Sequence, residues 1–161
     1  MRVLSSLLII FATMLVSVAL SGCGLSIVLD ERTTEVGNFT EFLKAIAARD
    51  DAQARTYLSQ TAQSALSAGC PGGSAVGCFD RMGMQHWGKL KEVYWVYGIS
   101  AGESCYTTLW DGDAIDIIVR SHQAGGRWQI DGWRGGISSK VGWTKELLNG
   151  TDPINQFPAS P

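Results

Sequence analysis

Histidine occurs only twice in this 161-residue chain, and proline only four times. None of the four cysteines stands in a C-x-x-C pair. A zinc site draws on histidines and closely spaced cysteines, so no metal site is expected, and no cofactor motif is present. Basic residues do not outnumber acidic ones: Lys plus Arg is 13, Asp plus Glu is 15, and the net charge is −2. That balance excludes the basic surface a nucleic-acid partner would require. Glycine is plentiful at 19, but without a collagen-like period. Hydrophobic residues make up 45% and charged residues 17%, enough apolar material for the core of one domain.

Charge is also missing locally. Arg2 is the only charged residue before Asp30, and Val3–Leu29 is uncharged, with its most apolar part at Leu7–Val16. A basic start followed by such a run has the layout of a secretory leader. The run meets Leu20-Ser21-Gly22-Cys23, which closely resembles the bacterial lipobox. The resemblance implies cleavage before Cys23, a diacylglycerol on its thiol, and acyl chains that together hold the protein on a membrane. The alternative is an uncleaved anchor, because the uncharged run is also long enough to span a bilayer. On the lipobox reading, residues 1–22 are leader and 23–37 a short tether. The expected location is the cell envelope, on the extracytoplasmic side of a membrane. Gly24 follows the cysteine, where an Asp would favour retention at an inner membrane, so an outer-membrane address is permitted.

Three cysteines remain in an exported domain, where oxidation is expected. Cys70 and Cys78 bracket the flexible stretch Pro71–Gly77, so a local Cys70–Cys78 disulfide is favoured. Cys70–Cys105 and Cys78–Cys105 are the alternatives.

Asn38-Phe39-Thr40-Glu41 reads as a capping box. Phe39, Phe42, Leu43, Ile46 and Ala47 then predict one apolar helix face over about 39–49. Asp50 and Gln53 form a second box, and Ala54, Tyr57, Leu58, Ala62, Ala65 and Leu66 continue the period to about 66. A loop over 67–78 follows, then a short helix from Asp80 to about Trp87, with Gly88 as its stop. From Lys91 the period changes to two. Runs at Lys91–Ile99, Ser104–Trp110, Asp113–Ser121 and Arg127–Trp133 predict four antiparallel strands. The expected fold is α+β, with N-terminal helices packed on one face of a curved four-stranded antiparallel sheet.

Asp111-Gly112 between two alternating runs is the strongest hairpin signal, since both central residues of such a turn need positive φ. It also sets register. Tyr106, Thr108, Trp110, Ile115, Ile117 and Val119 should share the helix-facing side. Cys105, Thr107, Leu109, Asp116, Ile118 and Arg120 should share the other. A slip of one residue would exchange the two faces.

Phe42-Leu43-Lys44-Ala45, Asp50-Asp51, Ala54-x-x-Tyr57-Leu58 and the strand Gly126-Arg127-Trp128-Gln129-Ile130 resemble the nuclear transport factor 2-like superfamily. In particular they are similar to small bacterial lipoproteins of that cone-shaped fold. The resemblance implies a domain over 38–148 and a pocket between helices and sheet. Phe42, Tyr57, His86, Trp95, Tyr106, Thr108 and Trp110 would line it. Enzymes of the superfamily include isomerases and dehydratases, and His86 with Asp113 or Asp116 is the pair such chemistry would use here, although the register puts Asp116 on the opposite face. A lone histidine on an apolar face is more often a core residue, and an Asp beside a turn more often serves the turn. No matched base and donor can be read from the residues.

The expected function is therefore non-enzymatic: a lipid-anchored envelope protein binding a protein partner or a small apolar ligand near the membrane. An isomerase- or dehydratase-like enzyme is the alternative, and an accessory subunit of a membrane complex a third. Asp116 and Arg120 on the outer sheet face are candidate partner contacts, including for a homodimer. So are Trp133 and Arg134, because aromatic residues and arginine commonly anchor interfaces. Residues 149–161 are expected to be extended or disordered.

Overall fold

The computed structural model describes residues 34–100, 102–138 and 156–158. The leader, Cys23, most of the tether and Trp143 lie outside the described residues. The order is α1 (Glu35–Ala47), α2 (Asp51–Arg55), α3 (Gln60–Gly69), α4 (Ala75–Arg81), β1 (Leu90–Ser100), β2 (Glu103–Trp110), β3 (Ala114–Ala124), β4 (Arg127–Ser138) and β5 (Gln156–Phe157). Short 3-10 turns occupy Pro71–Gly73 and Met84–His86. The fold is α+β, with the helices on one face of a curved antiparallel sheet whose strand order is β1-β2-β3-β4-β5. The fifth strand is two residues long, and it was not expected.

Helix α1 begins one turn earlier than the Asn38 box predicts, inside the expected tether. Thr34 is the cap: its hydroxyl accepts from the Gly37 N–H at 3.1 Å. Glu35 occupies the first turn, where the helix dipole favours an acid. Asn38 is instead buried within the helix, and Glu41 pairs with Lys44. The second box holds, with Asp50 Oδ1 accepting from the Gln53 N–H at 2.9 Å. The helix it opens does not run to 66. Tyr57 and Ser59 exchange backbone hydrogen bonds with Ile130 of β4, which pulls the chain out of helix. Ser59 then caps α3, accepting from the Ala62 N–H at 3.2 Å.

The expected loop at 67–78 contains the end of α3, a 3-10 turn and the start of α4. Ser74 caps α4, rather than Asp80. Asp80 lies inside that helix and accepts two hydrogen bonds from the Arg49 guanidinium, at 3.1 and 2.8 Å. The segment is fixed by the Cys70–Cys78 disulfide and by Asp51, whose Oδ1 accepts from the Val76 N–H at 3.2 Å.

The register of β2 and β3 is the one the Asp111-Gly112 turn implies, running from Glu103↔Arg120 to Leu109↔Ala114. All six residues assigned to the helix side are buried. The turn chemistry differs, however, because neither Asp111 nor Gly112 has positive φ. Neighbouring chain holds this turn: the Asp111 N–H donates to Lys89 O at 3.0 Å, and the Lys89 N–H to Asp111 Oδ2 at 3.1 Å. Two successive positive φ values occur instead at Gly125-Gly126, in the turn between β3 and β4.

The core lies between α1 and the sheet. The Phe42 ring lies tilted at 5.3 Å from Trp133 and edge-on at 5.7 Å from Phe79, and Phe39 lies tilted at 4.6 Å from Tyr106. Phe157 of β5 closes this aromatic cluster at 4.4 Å from Trp133. Each such ring, fully buried, contributes about 1.5–3 kcal/mol.

Candidate functional site

The pocket that the resemblance implies is filled by side chains. Phe42, Tyr106 and Thr108 are fully buried, and Tyr57 and Trp110 nearly so. The Thr108 hydroxyl donates to Ile115 O at 2.9 Å and accepts from the Trp110 indole at 2.8 Å, so even the polar group of this set is used in packing. Burial, and then the Glu35 carboxylate, hold the Tyr106 phenol protonated. Trp95 is not part of the interior; it is 52% exposed.

His86 is also exposed, at the end of the Met84–His86 turn, with its ring beside the Gln85 amide at 3.5 Å. Asp113 Oδ1 accepts from the following Ala114 N–H at 2.8 Å, which is turn chemistry. The structure thus puts neither residue of the catalytic alternative in an apolar cavity. The other histidine, His122, lies in β3 and meets Asp131 at 2.8 Å. Among the described residues, no cluster of three His, Cys, Asp or Glu is placed to hold a metal ion.

The four candidate partner contacts separate. Trp133 is buried in the aromatic cluster and is not an exposed platform, because β5 packs over it. Arg134 pairs with Glu103 across the outer face at 2.9 Å. Asp116 is half-buried there and accepts from the Thr107 hydroxyl at 2.5 Å. Arg120 is exposed. The same face buries Cys105 and Ile118, so it is less open than its charges suggest. Burial, and then the charge of Asp116, push the Cys105 thiol up to about 11.

Among the described residues, the exposed large apolar side chains gather mostly at a place that the sequence reading missed. Tyr94, Trp95, Val96 and Tyr97 are 48%, 52%, 45% and 43% exposed, and Ile99 is also exposed. They occupy five of the eleven positions of β1, which is an edge of the sheet. Trp95 pairs with Tyr106 and so points to the helix side, while Tyr94 and Tyr97 pair with Thr107 and Cys105 on the outer side. Both faces of the strand therefore carry uncovered aromatic rings. The helices reach only its first half, where α1 and β1 leave a groove of about 340 Å³ lined in part by Lys44, Lys89 and Lys91. These lysines are balanced locally: Lys44 pairs with Glu41 and Lys91 with Asp111, while Glu92 lines the same groove.

A signal for this surface exists in the sequence. Tyr-Trp-Val-Tyr-Gly-Ile does not alternate with polar residues, as a strand buried on one face would. A first strand in a meander lies at an edge, where helices on one side cannot cover both faces.

The chain matches no protein-family profile, no curated protein and no solved structure. Among the described residues no helix is long and apolar enough to cross a membrane.

Proposed function

We propose that this chain is a lipid-anchored envelope protein that binds rather than catalyses, with Cys23 carrying the lipid. The observation that carries the binding part is β1: a run of exposed aromatic residues beside an interior filled by its own side chains. Contiguous exposed apolar surface of this kind marks an interaction site. Among the described residues, the interior positions expected to line a pocket are packed, so a surface contact is favoured over a pocket. The Leu20-Ser21-Gly22-Cys23 sequence supports the anchor. Helices followed by an antiparallel meander support the likeness to the nuclear transport factor 2-like superfamily.

Intact-mass measurement of the chain extracted from membranes tests this reading. The expected species begins at Cys23 and carries a diacylglyceryl group with or without an additional acyl chain. A mass that retains residues 1–22, or an unmodified Cys23, would overturn it.

A further inference from the structure

We propose that β1 is a membrane-contact edge: the strand lies edge-on against the bilayer surface, with Tyr94, Trp95 and Tyr97 in the headgroup layer. The inference rests on the anchored reading above and names what the exposed strand touches.

Three observations lead to it. The first is the kind of surface. Val93–Ser100 contains no charged residue, and its large side chains are mainly Tyr and Trp. Such rings have an apolar body and a polar tip, and they concentrate where lipid headgroups meet hydrocarbon. Rings on both faces of one strand suit an edge-on approach, which wets neither face alone.

The second is the condition of the edge itself. An exposed apolar edge strand would ordinarily invite another strand to pair with it. Here the pairing with β2 shifts register three times, between Leu90 and Glu92, Trp95 and Tyr97, and Gly98 and Ser100. Bulges of this sort bend and twist an edge and interrupt the even ladder that strand addition needs. The side chains remain available while the backbone is a poor template. A membrane surface uses the side chains alone. The edge N–H and C=O groups stay at headgroup depth, where water can pair them, since hydrocarbon offers them no partner.

The third is where the tether joins. The Ser121 hydroxyl donates to Glu35 Oε1 at 2.8 Å, and the Ser121 N–H donates to Gly102 O at 2.7 Å. The start of α1 is therefore at the end of the sheet that holds the β1–β2 turn, next to Ile99 and Ser100. Thr34 comes eleven residues after Cys23. Even fully extended, that length spans only roughly 40 Å. The anchor thus holds the molecule near the bilayer by the same end that carries the aromatic strand. A lipid and a second weak contact together give the two-signal attachment that makes membrane association stable.

The test uses the full chain reconstituted in phosphatidylcholine vesicles, with tryptophan emission read in normal and brominated lipid. The expected result is quenching by brominated lipid that falls by more than half in Trp95→Phe and persists in Trp128→Phe. Tyr94→Ser should weaken it as well, with melting unchanged, because both side chains are exposed. Equal quenching in native protein and Trp95→Phe would overturn the proposal. So would a Tyr97→Cys chain that crosslinks into a dimer in the vesicles, since the strand would then face a second copy. The mass of Cys23, measured on the same sample, is a separate readout. A chain held by an uncleaved leader can still show the quenching, and an acylated chain can lack it.

Discussion

At the scale of single residues, environment rather than type decides behaviour. Cys105 stands on the sheet face expected to meet solvent, yet it is buried, and its thiol is raised to about 11. A thiol reacts through its thiolate, so the folded protein should resist iodoacetamide at pH 8. After unfolding without reductant, one thiol per chain should alkylate if, as proposed, Cys23 is acylated, because Cys70 and Cys78 are joined. Two alkylated thiols by mass would mean that Cys23 carries no lipid. Asp111 is the opposite case. The hydrogen bond from Lys91, and then that from the Lys89 N–H, hold its carboxyl below the usual carboxylate range. A depressed folded value stabilises fully above the ordinary range, and the contribution is lost as pH falls through the folded value. Lys91→Ala should therefore raise the Asp111 value, read by NMR titration of its side chain; an unmoved titration would show that the ammonium is not the cause.

At the scale of elements, patterns were most legible where local chemistry decides. Asp50 caps a helix as its spacing with Gln53 indicates, and the change to period two marks the strands within a few residues. Partners distant in sequence produced the departures. Ile130 ends the helix that Tyr57 and Leu58 would have continued, and Thr34 caps α1 a turn ahead of an equally plausible Asn38. The short strand β5 could not be read from two residues in a proline-bearing tail. Its docking depends on Gly132, where an added Cβ would fall 2.2 Å from Phe157 O and 2.6 Å from Pro158 Cδ. Gly132→Ala should displace β5 and cost roughly 1–3 kcal/mol in urea unfolding, as overpacking does. Stability equal to the native chain would show that β5 shifts without loss.

At the scale of the whole molecule, a single turn carried much of the information. The register implied by Asp111-Gly112 placed six side chains on the buried face, although the turn achieves its geometry through Lys89 rather than through positive φ. The candidate site was less legible. Alternation says which face of a strand is apolar, but not how far the helices extend over it, and β1 outruns them. The resemblance supplied a pocket, whereas large rings from α1, β2, β4 and β5 occupy that volume. Phe42→Ala should thus behave as a core deletion, losing about 3–5 kcal/mol in urea unfolding; a loss below about 1 kcal/mol would mean that the interior is looser than its packing indicates. Phe157 has a further consequence. The aromatic cluster begins at Phe39 and is completed by a ring 118 positions later. A chain that emerges N-terminus first cannot seal this interior until Phe157 is free to dock. Until then the Trp133 ring stays without the cap that β5 lays over it.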